Sequence, residues 1–250
     1  MKTVAVIPAR YGSTRFKGKP LALIAGRSMI ERVYCSVRRS RSVNEVIVAT
    51  DDQRIVDAVE RFGGKAAMTS DRHRSGTDRV NEVAEQLGLA RDDILINVQG
   101  DQPLVQSACF DEVVQPLVED PELGMSTLAI RISNDREYRD PKDCKVTLDQ
   151  RGFALYFSRA PIPFVRDPGD PLICYKHLGI YAYRRSFLAL FSQLDSGPLE
   201  KTEKLEQLRA LEHGHPIKVV LTRFDSPEVD LPRDIARIEK LLAGQNGDRP

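Results

Sequence analysis

The sequence predicts an α/β fold, a mostly parallel, mixed sheet with helices on both faces and a β-rich insertion. Three observations carry that expectation. In the first half of the chain, short apolar runs of strand length alternate with segments of helical period, the mark of successive βα units. From about residue 125 to 185, strand-like segments follow one another with little helix between them. Beyond 185, helix and strand alternate again.

Residues 3–8 (Thr-Val-Ala-Val-Ile-Pro) form an apolar run that reads as a buried strand. A polar, Gly-containing loop follows to Pro20, and apolar residues at 29, 30, 33 and 37 mark a helix over 28–38. Glu45–Thr50 is the second strand. Asp51 or Asp52 caps a helix through Phe62 that Gly63-Gly64 stops. Ala66–Met68 reads as a strand, Thr77–Leu87 as a helix, Ile94–Gln99 as a strand and Ser107–Val118 as a helix. Strands are expected at Met125–Ile132, Cys144–Leu148, Ala154–Phe157 and His177–Tyr183, with mixed or antiparallel pairing. Helices at Arg184–Leu194 and Leu199–Glu212, a strand at Ile217–Thr222 and a helix from Leu231 complete the pattern, with Gln245–Pro250 as a frayed tail.

A chain of 250 residues with 41% hydrophobic and 29% charged residues can bury a full core. Its four cysteines are scattered without a CxxC, which argues against a zinc ribbon and for a reducing cytoplasm. No apolar run reaches the roughly 18 residues of a membrane helix, and the N-terminal stretch is too short for a signal sequence. A pI near 7.7 gives no general attraction to nucleic acid. Charge is nevertheless uneven. Residues 1–50 hold ten Lys/Arg against two acids, leaving a net −7 for the rest. Arg38–Arg41 reads as a solvated basic face.

Ligands of open α/β sheets sit beyond the carboxyl ends of the strands, and three segments there stand out. Pro8-Ala-Arg-Tyr-Gly-Ser-Thr-Arg-Phe-Lys-Gly-Lys-Pro20 matches neither the Walker nor the GxGxxG spacing. It still combines glycines, hydroxyls and the cations Arg10, Arg15, Lys17 and Lys19 with no acid, the parts of a phosphate cradle. Val98-Gln-Gly-Asp-Gln-Pro103 sets Asp101 just past a strand. There it suits Mg²⁺, which favours one or two carboxylates plus phosphate oxygens, although a turn-capping Asp is a serious competitor. Ser226-Pro-Glu-Val-Asp-Leu-Pro232 sets Asp230 before a helix, and spacing alone favours an N-cap.

Ile-Pro-Ala-Arg-Tyr-Gly-Ser-Thr-Arg-Phe-Lys-Gly-Lys-Pro (7–20) resembles the N-terminal signature of the cytidylyltransferases that activate ulosonic acids. The 3-deoxy-manno-octulosonate (Kdo) cytidylyltransferase family is the best match. Arg74-Ser-Gly-Thr-Asp-Arg79, Asn97-Val-Gln-Gly-Asp101, Ala154-Leu-Tyr-Phe-Ser-Arg-Ala160, His177-Leu-Gly-Ile-Tyr181 and Leu205-Glu-Gln-Leu-Arg209 continue the resemblance over nearly the whole chain. The resemblance implies one Rossmann-like domain over 1–250, with a dimerisation and sugar-side segment at about 125–185. It also implies a cytoplasmic homodimer, Mg²⁺, and conversion of CTP and Kdo to CMP-Kdo and pyrophosphate for lipopolysaccharide synthesis. Carried over residue by residue, Ala9, Arg10, Ser13 and Lys19 hold the triphosphate and Arg15 neutralises further charge. Ser75, Gly76, Thr77 and Gln99 line the cytidine site, Asp101 and Asp230 ligate the metal, and Arg159, His177, Tyr181, Glu206 and Gln207 face the sugar. Lys19, Arg10, Asp101 and Asp230 are the catalytic candidates.

From pattern alone His177 is a structural histidine, Glu206 and Gln207 a solvated helical face, and Cys144 and Cys174 core. The family commonly has Gly-Asp-Glu-Pro where this chain has Gly100-Asp-Gln-Pro103, which keeps the same reaction on an 8-amino analogue of Kdo as an alternative. A metal-dependent glycosyltransferase is a more distant reading, although its Asp-x-Asp is absent at 99–103. A non-catalytic nucleotide-binding regulator is another, and it leaves the two carboxylates unexplained.

Overall fold

The computed structural model describes residues 1–12, 15–73, 75–167, 169 and 171–247, with side chains to 244. Strand β1 (Thr3–Ala9) lies within the sheet and is apolar on both faces. Val4 and Val6 pack into one layer of helices, Ala5 and Ile7 into the other, and none of the four keeps exposed surface. A short hairpin, β2 (Leu23–Ile24) and β3 (Arg27–Ser28), leads into α1 (Met29–Val37), whose N-terminus is capped by Ser28 Oγ accepting from the Glu31 N–H at 3.3 Å. Then come β4 (Glu45–Thr50), α2 (Gln53–Arg61) with Asp52 as its cap, and β5 (Ala66–Met68). Helix α3 (Gly76–Gln86) carries the chain back across β1 to β6 (Ile94–Asn97), which pairs parallel on its other side. That reversal makes the carboxyl ends of β1 and β6 a topological switch point, the place where open α/β sheets bind ligands.

The second half runs α4 (Ala108–Glu119), β7 (Met125–Arg131), α5 (Asp135–Arg139), β8 (Lys145–Leu148), β9 (Ala154–Ser158) and β10 (Tyr175–Arg184). It continues through α6 (Arg185–Phe191), α7 (Pro198–Glu203), α8 (Leu208–Glu212), β11 (Lys218–Leu221) and α9 (Asp234–Gly247). The main strand order is β11-β7-β10-β6-β1-β4-β5, with β8 paired to β10 and β9. Strand β10 is antiparallel to β6, β7 and β8, whereas β11 and β7 pair parallel. Helices α1, α2 and α4 cover one face and α3, α6 and α8 the other, each over its own apolar layer. The expected mixed, mostly parallel sheet with helices on both faces is therefore the one observed.

The differences are local. Leu199–Glu212 is two helices, because Lys204 takes a left-handed conformation (φ 55°) and ends α7 before α8 begins. Strand β6 ends at Asn97 because Gln99 and Gly100 turn outward into the cleft. Helix α1 stops at Val37, so Arg38, Arg39 and Arg41 are exposed beyond its end and not on its face. The last helix starts at Asp234 and continues to Gly247, so residues 245–247 are helical and not a tail; 248–250 lie outside the described residues. Helix α5 and the β2–β3 hairpin are too short for a periodicity to reveal.

Candidate active site

Two adjoining cavities open at the switch point, of about 300 and 250 Å³, and Pro8, Gly76 and Gln99 belong to the walls of both. The larger carries the phosphate-type features. Ala9 ends β1 in its wall, beside Arg10, Lys19, Ser75, Gly100 and Asp101. Ser75 caps α3 in a reciprocal box with Asp78, its Oγ accepting from the Asp78 N–H at 3.2 Å. The amino end of α3 therefore faces this cavity, where its unpaired N–H groups and dipole favour an anion. Arg10 is exposed and donates to the His73 carbonyl. Ser13 and Arg74 lie outside the described residues. Gly100 has a packing reason to be glycine, since a Cβ there would stand 3.2 Å from the Pro8 carbonyl oxygen.

Asp101 lies in the wall of this cavity, and the segment that carries Asp230, 129 positions further on, runs beside it. The Val229 N–H donates to the Asp101 carbonyl at 3.0 Å. Lys19 Nζ lies 2.6 Å from Asp101 Oδ2 and 3.0 Å from the Val229 carbonyl oxygen, while Arg15 Nη1 lies 3.0 Å from Asp230 Oδ1. Asp230 does not act as the cap its position suggests. Instead the side chain of Asp234, the first residue of α9, reaches back, its Oδ2 accepting the N–H groups of Asp230 and Leu231 at 3.0 and 2.8 Å and fixing the loop ahead of the helix. Glu228 stands on the same segment as Asp230, although no cluster of three or more side chains able to hold a metal occurs among the described residues. It keeps solvent contact at the rim, but the protein around it and the facing Asp101 and Asp230 push its carboxyl up to about 7. Solvent contact tempers the burial part of that rise, whereas the like charges act regardless.

The smaller cavity is lined by Thr77, Asn97, Tyr181, Glu206 and Gln207. Thr77 donates to Glu206 Oε2 at 2.5 Å, and Asn97 Nδ2 donates to the Thr77 hydroxyl at 3.3 Å. Burial raises the Glu206 carboxyl, and its Oε1 is buried without a hydrogen-bond partner among the described residues, the Arg209 guanidinium standing off at 3.6 Å. Tyr181 reaches the cavity through a register shift in β10 between His177 and Tyr181. Gly179 there takes φ 67°, a conformation that suits glycine, and the carbonyls of 178, 179 and 180 accept from Gln102 (3.0 Å), Gln99 (3.0 Å) and Thr127 (2.7 Å). Such bulges re-aim side chains beside sites.

His177 and Arg159 line neither cavity. The His177 ring packs against Phe157 and Tyr181, at 5.1 and 5.2 Å between ring centres, and hydrogen-bonds the Thr127 hydroxyl at 2.9 Å; burial pushes its pKa down to about 3. Arg159 Nε donates to the Glu203 carbonyl at 2.9 Å and Nη1 to that of Pro141 at 3.1 Å, which anchors the end of α7. Gln102 is buried and reaches Leu178 and, at 3.4 Å, Glu228.

The family model for cytidylyltransferases matches residues 4–219. The chain belongs to the cytidylyltransferase family. A relative from Desulfosudis oleivorans, 59% identical over 99% of this chain and 100% of its own length, is named 3-deoxy-manno-octulosonate cytidylyltransferase. So is one from Desulfatibacillum aliphaticivorans, 63% identical over 98% of this chain and 100% of its own. A relative from Shewanella amazonensis, 53% identical over 97% of this chain and 99% of its own, is named for the 8-amino-3,8-dideoxy sugar. Among solved structures, a CMP:2-keto-3-deoxy-manno-octonic acid synthetase complexed with CTP superposes with a TM-score of 0.92 at 43% identity, covering 98% of this chain and 100% of its own.

Three features of this cytidylyltransferase escape sequence reasoning. Glu228 sits in the quoted Ser226–Pro232 segment, yet nothing in its spacing says that it faces Asp101. Arg79 is fully buried in the wall of the larger cavity, bonded to Thr69 at 2.5 Å and to Asp51. The guanidinium of Arg54 stacks 3.4 Å from the ring centre of Tyr11 and so braces the cationic loop from α2.

Proposed function

We propose that this chain transfers the cytidylyl group of CTP to the anomeric hydroxyl of 3-deoxy-manno-octulosonate, giving CMP-Kdo and pyrophosphate. The carrying observation is the pair of cavities with a common wall. One is cationic and acidic enough for a metal-bound triphosphate; the other offers hydroxyl, amide and carboxylate groups to a polyhydroxylated acid. The hydroxyl oxygen attacks the α-phosphorus at the junction and releases its proton to solvent, the bond to the bridging oxygen breaks, and pyrophosphate leaves. Lys19, Arg15 and Arg10 lie on the side where negative charge collects, so the chain's task is alignment and charge neutralisation.

The residues fit a hard divalent cation. Asp101 and Asp230, carried on neighbouring segments that the Val229 N–H bond to the Asp101 carbonyl holds together, are the hard oxygen donors such an ion takes alongside phosphate oxygens. Asp101 and Asp230 would hold Mg²⁺, which when bound neutralises phosphate charge. The names of the relatives at 59–63% identity support Kdo as the sugar. The departure at Gln102 gives the 8-amino analogue no added support, because Gln102 turns away from the smaller cavity toward Leu178 and Glu228.

The same reading makes the chain a cytoplasmic homodimer. Leu155, Phe164 and Ile173 of the β-rich segment leave apolar surface exposed for a second copy, and sedimentation showing only a monomer would remove that part. Pyrophosphate release from CTP with Kdo and its 8-amino analogue, competed at equal concentration, tests the main reading. Kdo is expected to give the higher kcat/KM. Preference for the amino sugar overturns the sugar assignment, and release with neither overturns the reaction.

A further inference from the structure

Asp101, in the wall of the larger cavity, and Asp230, on the segment beside it, each carry a cation of this chain. Asp101 holds Lys19 at 2.6 Å, and Asp230 holds Arg15 at 3.0 Å. Lys142, from the chain before β8, stands 3.9 Å from the second oxygen of Asp230. Lys19 is fixed further by the Val229 carbonyl at 3.0 Å, so its ammonium lies between the two acidic segments and not toward solvent. Its side chain is only 16% exposed and that of Asp101 25% exposed.

We propose that Lys19 and Arg15 compete with the divalent cation for Asp101 and Asp230, so that this chain binds metal tightly only when nucleotide phosphate draws the two side chains away. The inference rests on the cytidylyltransferase reading and adds a regulation to its site. A carboxylate bound to a half-buried ammonium offers a metal ion less charge, and an ion placed there meets the ammonium at short range, where salt screens little. A triphosphate in the same cavity offers Lys19 more anionic oxygens than one carboxylate does. Because Lys19 and Asp101 share that cavity's wall, one movement of the lysine both grips phosphate and frees the carboxylate. By linkage, nucleotide and metal then strengthen each other's binding by the same factor. The arrangement would keep metal from settling on the acids before a nucleotide arrives.

The inference makes an unusual demand: deleting a phosphate-binding cation should tighten metal binding. Mn²⁺ is titrated into the nucleotide-free full chain, with free Mn²⁺ read by electron paramagnetic resonance. Lys19→Met is expected to bind Mn²⁺ about tenfold more tightly than the unsubstituted chain, the scale of a partly buried charge interaction worth about 1.4 kcal/mol. Arg15→Gln, at a side chain 65% exposed and not needed for packing, should change affinity in the same direction by a smaller factor. Adding Asp101→Asn to Lys19→Met should abolish the gain. Unchanged or weaker Mn²⁺ binding in both single variants overturns the competition. A separate arm adds CTP and follows water-proton relaxation. If the unsubstituted chain shows an enhancement that Asp101→Asn loses, the metal site stands and the titration alone decides the competition; if it shows none, the metal site itself is wrong and the inference falls with it.

Discussion

The two cavities are built by opposite means. The larger takes its polar groups from loops that leave β1 and β6 at the switch point, and its charges meet one another directly: Lys19 with Asp101, Arg15 with Asp230. The smaller takes its groups from a bulged strand and from the turn between two short helices. Its groups are mostly uncharged hydroxyls and amides, with a His whose pKa is pushed down to about 3 beside it and a Glu whose carboxyl is raised within it. Charge placed on loops can be re-paired when a ligand arrives. Polar groups fixed in an aromatic layer cannot move far, and so are suited to selecting a shape.

The sharpest break between the two comes from the acids of the larger cavity. Asp101→Asn and Asp230→Asn should each lower turnover more than about 100-fold, beyond the 10–100-fold that an outer partner of a metal site costs. Melting temperature should change little at 230, because the loop there is held through backbone N–H groups that bond Asp234 and do not involve the Asp230 side chain. Steady-state rates and a melting curve check this. An Asp230→Asn enzyme with near-normal turnover would return Asp230 to a merely structural role.

Legibility in the sequence follows the same division. The loop after β1 and the turn after β6 could be read directly, because a local run of glycines, hydroxyls and cations and a lone Asp past a strand are local signals. The parallel half of the sheet was legible for the same reason, through periodicity in βα units. The break at Lys204 was not, since a left-handed residue in a run of helix formers leaves no mark in periodicity. Spacing alone did not bring the Asp230 segment to Asp101 either, a pairing that only the resemblance supplied, because it depends on how α9 and its preceding loop pack over the hairpin through Ile24, Val229 and Ile238. For Tyr181, Glu206 and Gln207 only resemblance pointed to a site, and the structure places all three on one cavity wall. His177 and Arg159, assigned by the same resemblance, are not among the residues that line either cavity.

His177 sharpens the comparison through pH. In the native chain its pKa is pushed down to about 3 by burial, whereas unfolded it titrates near the usual 6.5. Between those values the unfolded chain holds a proton that the folded chain does not. Stability from this group is therefore complete above about pH 6.5 and falls as pH drops toward 3. Because the ring keeps partial solvent exposure, the expected loss between pH 6.5 and 5 is about 1 kcal/mol, below the roughly 1.4 kcal/mol per pH unit of a fully sealed ring. Urea unfolding at a series of pH values should show this slope, and His177→Gln should flatten it by that amount. An equal slope in both chains would mean that the ring is already solvated. The kcat/KM profile should carry no inflection from His177 near 6.5.

Glu206 gives the smallest effect and the finest distinction. Burial raises its carboxyl above the ordinary value of 4.5, the Thr77 hydroxyl partly offsetting this. A raised carboxyl means that folding favours the protonated form, so its ionisation costs stability as pH rises from the unfolded value through the folded one. Glu206→Gln keeps the shape and removes that cost. Its side chain retains 29% exposure, which screens the effect, so a gain of roughly 2 °C at pH 8 is expected, what about 0.5–1 kcal/mol does in a chain this long. Below pH 4.5 the gain should vanish, because the carboxyl is then protonated in both states. Activity should move the other way. With Oε1 unpartnered and on the wall of the smaller cavity, the substitution offers an amide in place of a charged acceptor, so the sugar's KM should rise several-fold while that of CTP stays put. An equal rise in both would show that Glu206 serves the nucleotide, and that the two cavities do not divide the substrates as their chemistry divides them.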